Sequence, residues 1–341
     1  MTEPPTAGIV NRAMESSPIK TPSQRSHRSA HRTVIVGHDG SESGVDALRL
    51  GRVLSEALGA ALLVARIIEA NGSRLRSDLG DADERAAIDV LGTFGTRAVE
   101  LVANSVAEGL LTLAGTIDPI AIVVGAGRAL RTGRASQTAE ALARKGSVPI
   151  AVAPHGYARR KDARLLDVAA AFDGSNESWP AVSTAIHIAA STHGILTILT
   201  ADDVAEPTAG TPWSKLTAGA FEAEARRSRS QSLQAALAVT PSSLPTQGWL
   251  LHGRAAGVLA EASDQFDLLV TGSRGHGPTR SALFGSTTRD LALKSRCPLL
   301  VVPKNGGPNP LGAGWPIGPG VLRRDLFTEL DREREREPVS R

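Results

Sequence analysis

The residues best suited to chemistry lie in the last third of the chain. Leu268-Leu269-Val270-Thr271-Gly272-Ser273-Arg274-Gly275 is followed, after nine residues, by Gly285-Ser286-Thr287-Thr288 and a helical pattern to Lys294. An apolar run of this kind delivers its loop to the carboxyl edge of a sheet. Absent side chains at Gly272 and Gly275 let backbone N–H groups approach an anion closely. The second loop ends at Gly285 and opens a helix, whose first N–H groups and positive dipole end face outward; the hydroxyls of Ser286, Thr287 and Thr288 add donors. Phosphate is the expected ligand group. Glycines that only make turns are the plainer alternative, but here two loops, a helix start and a hydroxyl run occur together.

The elements that must position these residues repeat along the chain. Thr33-Val34-Ile35-Val36-Gly37, then His38-Asp39-Gly40-Ser41-Glu42-Ser43, then an amphipathic pattern through Val45, Leu48, Val53, Leu54 and Leu58 reads as strand, turn and helix. The apolar run Ala61 to Ile68 completes a βαβ unit, and a weaker helical pattern spans residues 82–92. The same order returns from Val168 to Phe172, Asp173 to Ser178, a helix through Val182, Ile186 and Ala189, and a strand from Ile195 to Thr200. Asp39 and Asp173 are 134 residues apart, whereas the closing strands, 147–154 and 296–303, are 149 apart. The second copy therefore carries an insertion of 15 residues. Buried strands at Ile120 to Val124, Val148 to Ala153, Asp267 to Thr271 and Pro298 to Val302 alternate with helices. That pattern predicts α/β architecture: two tandem doubly wound parallel sheets, with ligands beyond the carboxyl ends of the strands.

The expected organisation is a disordered basic tail over 1–31, domains over 32–154 and 164–303, a linker over 155–163, and a Gly/Pro-rich, charged tail over 304–341. The 341 residues suffice for two cores, and because aromatics are only 3% of the chain those cores must be built from Ala, Val, Leu and Ile. Lys and Arg number 38 against 35 acidic residues, so the net charge of +3 makes no case for nucleic acid. A lone Cys297 excludes an intramolecular disulfide and reads as a structural thiol. No apolar stretch is long enough for a membrane span and the first 31 residues are too polar for a secretory signal, which predicts a cytoplasmic protein. The eight histidines show no paired metal-ligand spacing, and His276 beside the phosphate loop reads as an exposed loop residue. P-loop, dinucleotide and Gly-x-Ser-x-Gly signatures are missing, which argues against the chemistries they serve.

The spacing Gly272, two residues, Gly275, nine residues, Gly285-Ser286 resembles that of the ATP-binding universal stress proteins. The likeness extends to the strand-Asp-Gly-Ser opening at Asp173 and the Cys297-Pro298 closing strand, and spans both repeats. It implies a tandem pair related to the adenine nucleotide alpha hydrolase-like folds, packed as an intramolecular pseudo-dimer, with a further homodimer left open. It further implies ATP as ligand, with Ala171 and Asp173 at the first strand end beside the nucleotide and Ala201 at the adenine. Thr271, Gly272 and Arg274 would lie towards ribose and phosphates, with Asp173 also able to hold Mg2+ carried by the triphosphate. A turn-forming, helix-capping Asp173 is the alternative.

The first repeat departs from that pattern. Gly125 aligns with Gly272, but Arg128 replaces Gly275, the loop is two residues shorter, and Ser136-Gln137 replaces Gly285-Ser286. A first site, if formed, would draw on Asp39, Gly125 and Gly127. The leading expectation is an ATP-binding stress-response regulator acting on an unidentified protein partner. Its rivals are an interaction module in which nucleotide is incidental, and a slow ATPase or transferase; no nucleophile or general base stands out for the last.

Overall fold

The computed structural model describes residues 32–70, 97–127, 137–145, 147–202, 212–273 and 285–303. Both tails, the helical pattern of 82–92, and Arg128, Arg274, Gly275 and His276 lie outside the described residues. The first half runs β1 (Thr33–Gly37), α1 (Glu42–Leu58), β2 (Ala61–Glu69), β3 (Arg97–Ala103), α2 (Val106–Ile117), β4 (Ala121–Gly125), α3 (Gln137–Lys145) and β5 (Ile150–Ala153). The second runs β6 (Asp167–Ala171), α4 (Trp179–Ser191), β7 (Ile195–Asp202), α5 (Pro212–Ala238), β8 (Thr246–His252), α6 (Ala255–Ala262), β9 (Leu268–Gly272), α7 (Ser286–Lys294) and β10 (Leu299–Val302).

All ten strands join one sheet in the order β3-β2-β1-β4-β5-β10-β9-β6-β7-β8. Each half thus repeats the order 3-2-1-4-5, and every neighbouring pair is parallel except β5 with β10. The α/β architecture expected from the alternating runs forms, but the two expected sheets are joined into one by the antiparallel β5–β10 pair, whose apolar strands bury their edges against each other. The two outer strands, β3 and β8, were not evident from hydrophobicity because edge position leaves residues such as Arg97, Glu100 and Gln247 in contact with water.

Strand alternation assigns the two faces. Val34, Val36, Val168 and Ala170 pack with α1 and α4 in one cluster; Ile35, Ala169, Leu199 and Leu269 pack with α2, α6 and α7 in the other. Both clusters continue across the β5–β10 seam, and each fully buried Leu or Ile contributes about 1.5–3 kcal/mol. Across the seam Arg32 Nη2 lies 3.3 Å from His187 Nε2 on α4. Burial and the guanidinium push His187 below its ordinary value, so the neutral ring accepts from Arg32.

The basic linker is tied to both halves. Asp46 of α1 accepts from the amides of Gly156 at 2.9 Å and Ala158 at 2.8 Å, which pin a 3-10 turn at Tyr157–Arg159. Glu42 pairs with Arg159, while Arg160 stacks over the Tyr157 ring and donates to the Arg296 carbonyl of the second half at 2.7 Å. Cys297 is buried beside this junction, and desolvation lifts its thiol to about 11. No described helix is long and apolar enough to cross a membrane.

Candidate functional site

Ala171, Ala201 and Thr271 share one face of the sheet, two residues or fewer beyond buried members of the cluster packed on α6 and α7. They stand at the carboxyl ends of β6, β7 and β9, where open α/β sheets receive ligands. Ala171 and Ala201 present only a methyl group at this rim.

The turn after β6 is built by Asp173. Its Oδ1 accepts from the Ser175 amide at 2.9 Å and the Ser175 hydroxyl at 2.5 Å, and Gly174 supplies the required φ of 80°. The next helix is capped at Ser178 instead, so Asp173 shapes the turn without capping α4, and it remains exposed at the rim. The first half builds the same turn, with Ser41 amide to Asp39 Oδ1 at 3.0 Å and Gly40 at φ 77°.

The start of α7 is fastened to the end of β9. The Gly285 amide donates to the Ser273 carbonyl at 3.0 Å, and the buried Thr288 hydroxyl donates to the Gly272 carbonyl at 2.9 Å. The Thr288 hydroxyl therefore spends its proton on the fold; Ser286 is exposed and Thr287 half-buried. Thr271 likewise directs its hydroxyl to the Gly272 carbonyl, at 3.3 Å. Gly285 sits at the cap with no side-chain hydrogen bond, and among the described residues nothing accepts from the amides of Ser286, Thr287 and Thr288. Those three N–H groups, reinforced by the helix dipole, can serve an oxyanion. Arg274 and Gly275 fall outside the described residues.

In the first half, Ser43 of α1 packs into the start of the corresponding loop. Gly127 donates to the Ser43 hydroxyl at 2.8 Å, and a Cβ on Gly125 would lie 2.1 Å from that Oγ and 2.2 Å from the Ser43 carbonyl. By strand register, Gly37 and Ile67 take the places of Ala171 and Ala201. Leu110 packs against Gly37, and Ile67 fills the notch at Gly109. Asp39 keeps its turn, but Gly125 and Gly127 are engaged by α1.

One constellation at the second rim was not read from the sequence. Asp202, at the end of β7, has a fully buried carboxylate that accepts from Arg226 Nε at 2.9 Å and Arg229 Nη1 at 2.6 Å, with His252 Nδ1 3.4 Å away. Burial pushes the Asp202 carboxyl up, but the hydrogen bonds and charges of Arg226 and Arg229 outweigh it and leave the group below its ordinary value. The signal available was an acid ending the apolar run of β7 and three arginines in Arg226-Arg227-Ser228-Arg229; partners 24 to 50 residues apart gave it no local pattern. Among the described residues no group of three or more His, Cys, Asp or Glu could hold a metal. Asp173 would be a single protein ligand to a cation otherwise held by phosphate oxygens and water.

No curated protein matches the chain. Among solved structures, a universal stress protein from Archaeoglobus fulgidus DSM 4304 is similar with 16% identity and a TM-score of 0.53, over 80% of this chain and 96% of that one. A functionally unknown protein from Pseudomonas aeruginosa PAO1 is similar with 16% identity and a TM-score of 0.55, over 88% of this chain and 98% of that one. At such identities these likenesses concern the fold. Residues 167–303, which hold the turn at Asp173, the rim and the start of α7, match the universal stress protein family.

Proposed function

We propose that the chain is a tandem universal stress protein whose second domain, 164–303, binds ATP, while its first, 32–154, is a degenerate copy joined through the 155–163 linker. Asp173 and Ala171 would flank the nucleotide, Ala201 would face adenine, and Thr271, Gly272, Arg274 and Gly275 would line the path to the phosphates. The terminal phosphates would meet Gly285 and the amides of Ser286, Thr287 and Thr288, with Mg2+ shared between them and Asp173. The carrying observation is the first turn of α7, held against the end of β9 with amides that have no acceptor among the described residues. Among the described residues neither a nucleophile nor a poised base adjoins it, so the reading is a cytoplasmic regulator that changes its presentation to a protein partner on binding, not a fast ATPase.

The packing of Ser43 on Gly125 and Gly127 favours a second reading for the first half, as an interaction and dimer-like packing surface in which nucleotide plays no part.

Gly285→Asp separates binding from folding. Gly285 already has cap geometry, with φ −58° and ψ 146°, which Asp adopts and caps well. Its carboxylate would occupy the oxyanion position and weaken ATP roughly a hundredfold through like-charge contact. Calorimetry with MgATP and a thermal melt on both proteins provide the test. Equal binding by wild type and variant sinks the phosphate assignment, as does the absence of any adenine nucleotide binding by the wild type.

A further inference from the structure

The Asp202 cluster is charged in excess of its structural need. Among the described residues, one buried carboxylate faces two guanidiniums, with the His252 ring alongside. The neighbouring Arg227 is balanced by Glu224 at 3.3 Å, so among the described residues the surplus falls on Arg226 and Arg229. Asp202 is wholly enclosed, while Arg226 is 57% exposed, Arg229 30% and His252 67%. Each arginine gives Asp202 a single hydrogen bond, and its remaining N–H groups have no acceptor among the described residues. The carboxylate thus orients two forks side by side, three residues apart on α5, beside an imidazole on β8.

The surplus is confined to one half. Register pairs Asp202 with His252, and the same positions of the first half are Ile68 and Val102, an apolar pair with Val102 left 53% exposed. A pairing that served only to close the sheet rim needs no charge, as the first half shows. Arg226 and Arg229 lie one turn apart and share the single charge of Asp202, so a second anion would relieve the repulsion that remains between them.

We propose that Arg226, Arg229 and His252, oriented by the buried Asp202, form a phosphate-binding site at the carboxyl ends of β7 and β8. It is distinct from the start of α7 and does not rest on the ATP reading. Two fixed forks match the oxygens of a tetrahedral oxyanion better than a point charge would. Side-chain alternation puts Asp202 on the face opposite Ala201, so an occupant would approach from the α4 and α5 side of the rim.

The test uses the full chain and the ring resonances of His252, assigned with His252→Gln, during titration with inorganic phosphate and, separately, glycerol 3-phosphate. The resonances should move saturably, and the tighter of the two anions distinguishes free phosphate from a phosphomonoester as the source. Arg226→Met leaves Asp202 paired with Arg229 and should weaken the response about tenfold. The triple variant Asp202→Leu, Arg226→Met, Arg229→Met, which copies the apolar first half, should be folded by circular dichroism and lose binding, read by calorimetry. Gly285→Asp should leave the His252 response intact whatever happens to ATP. A His252 ring that ignores both anions, or an Arg226→Met response equal to wild type, overturns the site.

Discussion

The two halves share a strand order and an Asp-Gly-Ser turn, yet their rims end differently. In the first, Ser43 of α1 reaches into the glycine loop, packing against Gly125 and accepting from Gly127, while Ile67 and Leu110 fill the strand ends. In the second, alanines stand at those ends and the first amides of α7 have no acceptor among the described residues. The contrast extends to buried carboxylates. Asp46 is met by two neutral amides, and burial raises it; Asp202 is met by two arginines, which lower it despite burial. One scaffold thus spends its polar groups on internal closure in one copy and leaves them at the surface in the other.

The largest expected effect tests the closure itself. Gly125→Val drives a side chain into Ser43 backbone and should cost about 3 kcal/mol or more, read from the urea midpoint of the full chain. A cost under about 1 kcal/mol would mean the first loop is not packed on α1.

Next comes Arg229→Met, which leaves Asp202 with one guanidinium. Because Arg229 is partly exposed, the loss should be about 2 kcal/mol, below that for a fully buried pair. The pH dependence of the two carboxylates should run in opposite directions. With a folded value under the ordinary 3.8, Asp202 contributes fully above that value and loses its contribution as pH falls through the folded one. With a folded value over 3.8, Asp46 contributes most in acid and loses its contribution as pH rises through the folded one. Urea midpoints across this range should therefore show a shallower acid loss in the Asp202 triple variant and a steeper one in Asp46→Asn; matching slopes would break the distinction.

Ser43→Ala should cost about 1 kcal/mol for the lost Gly127 hydrogen bond. It should not create MgATP binding in the first half, because the Ser43 backbone still packs on Gly125 and Leu110 and Ile67 still fill the strand ends. A second binding event by calorimetry would show that one hydroxyl alone separates the two rims. The smallest effect is Gly257→Ala on α6, where a Cβ meets nothing within 4 Å; it should stabilise by roughly 0.5 kcal/mol, visible as a slight rise in Tm.

Much of the central sheet was legible because its strands are short apolar runs bounded by turns, as at Val168 to Phe172 or Leu268 to Gly272. The outer strands β3 and β8 escaped notice because edge residues alternate less cleanly between core and water. The turn residues Asp39 and Asp173 were visible for the same local reason, since an Asp-Gly-Ser turn closes within three residues. The inward aim of Thr288 was not, because a hydroxyl beside a helix start serves a ligand or the fold with the same sequence.

From its residues alone the chain determined the α/β alternation, the duplication, and the glycine and hydroxyl spacing, all of which are written in periods of a few residues. Only the tertiary structure decided that β5 and β10 join antiparallel into one sheet, that Ser43 closes the first loop 84 residues away, and that Asp202 gathers Arg226, Arg229 and His252. Those outcomes depend on register and helix placement summed over the whole fold, and a pairing between distant residues leaves no mark in the local pattern of either partner.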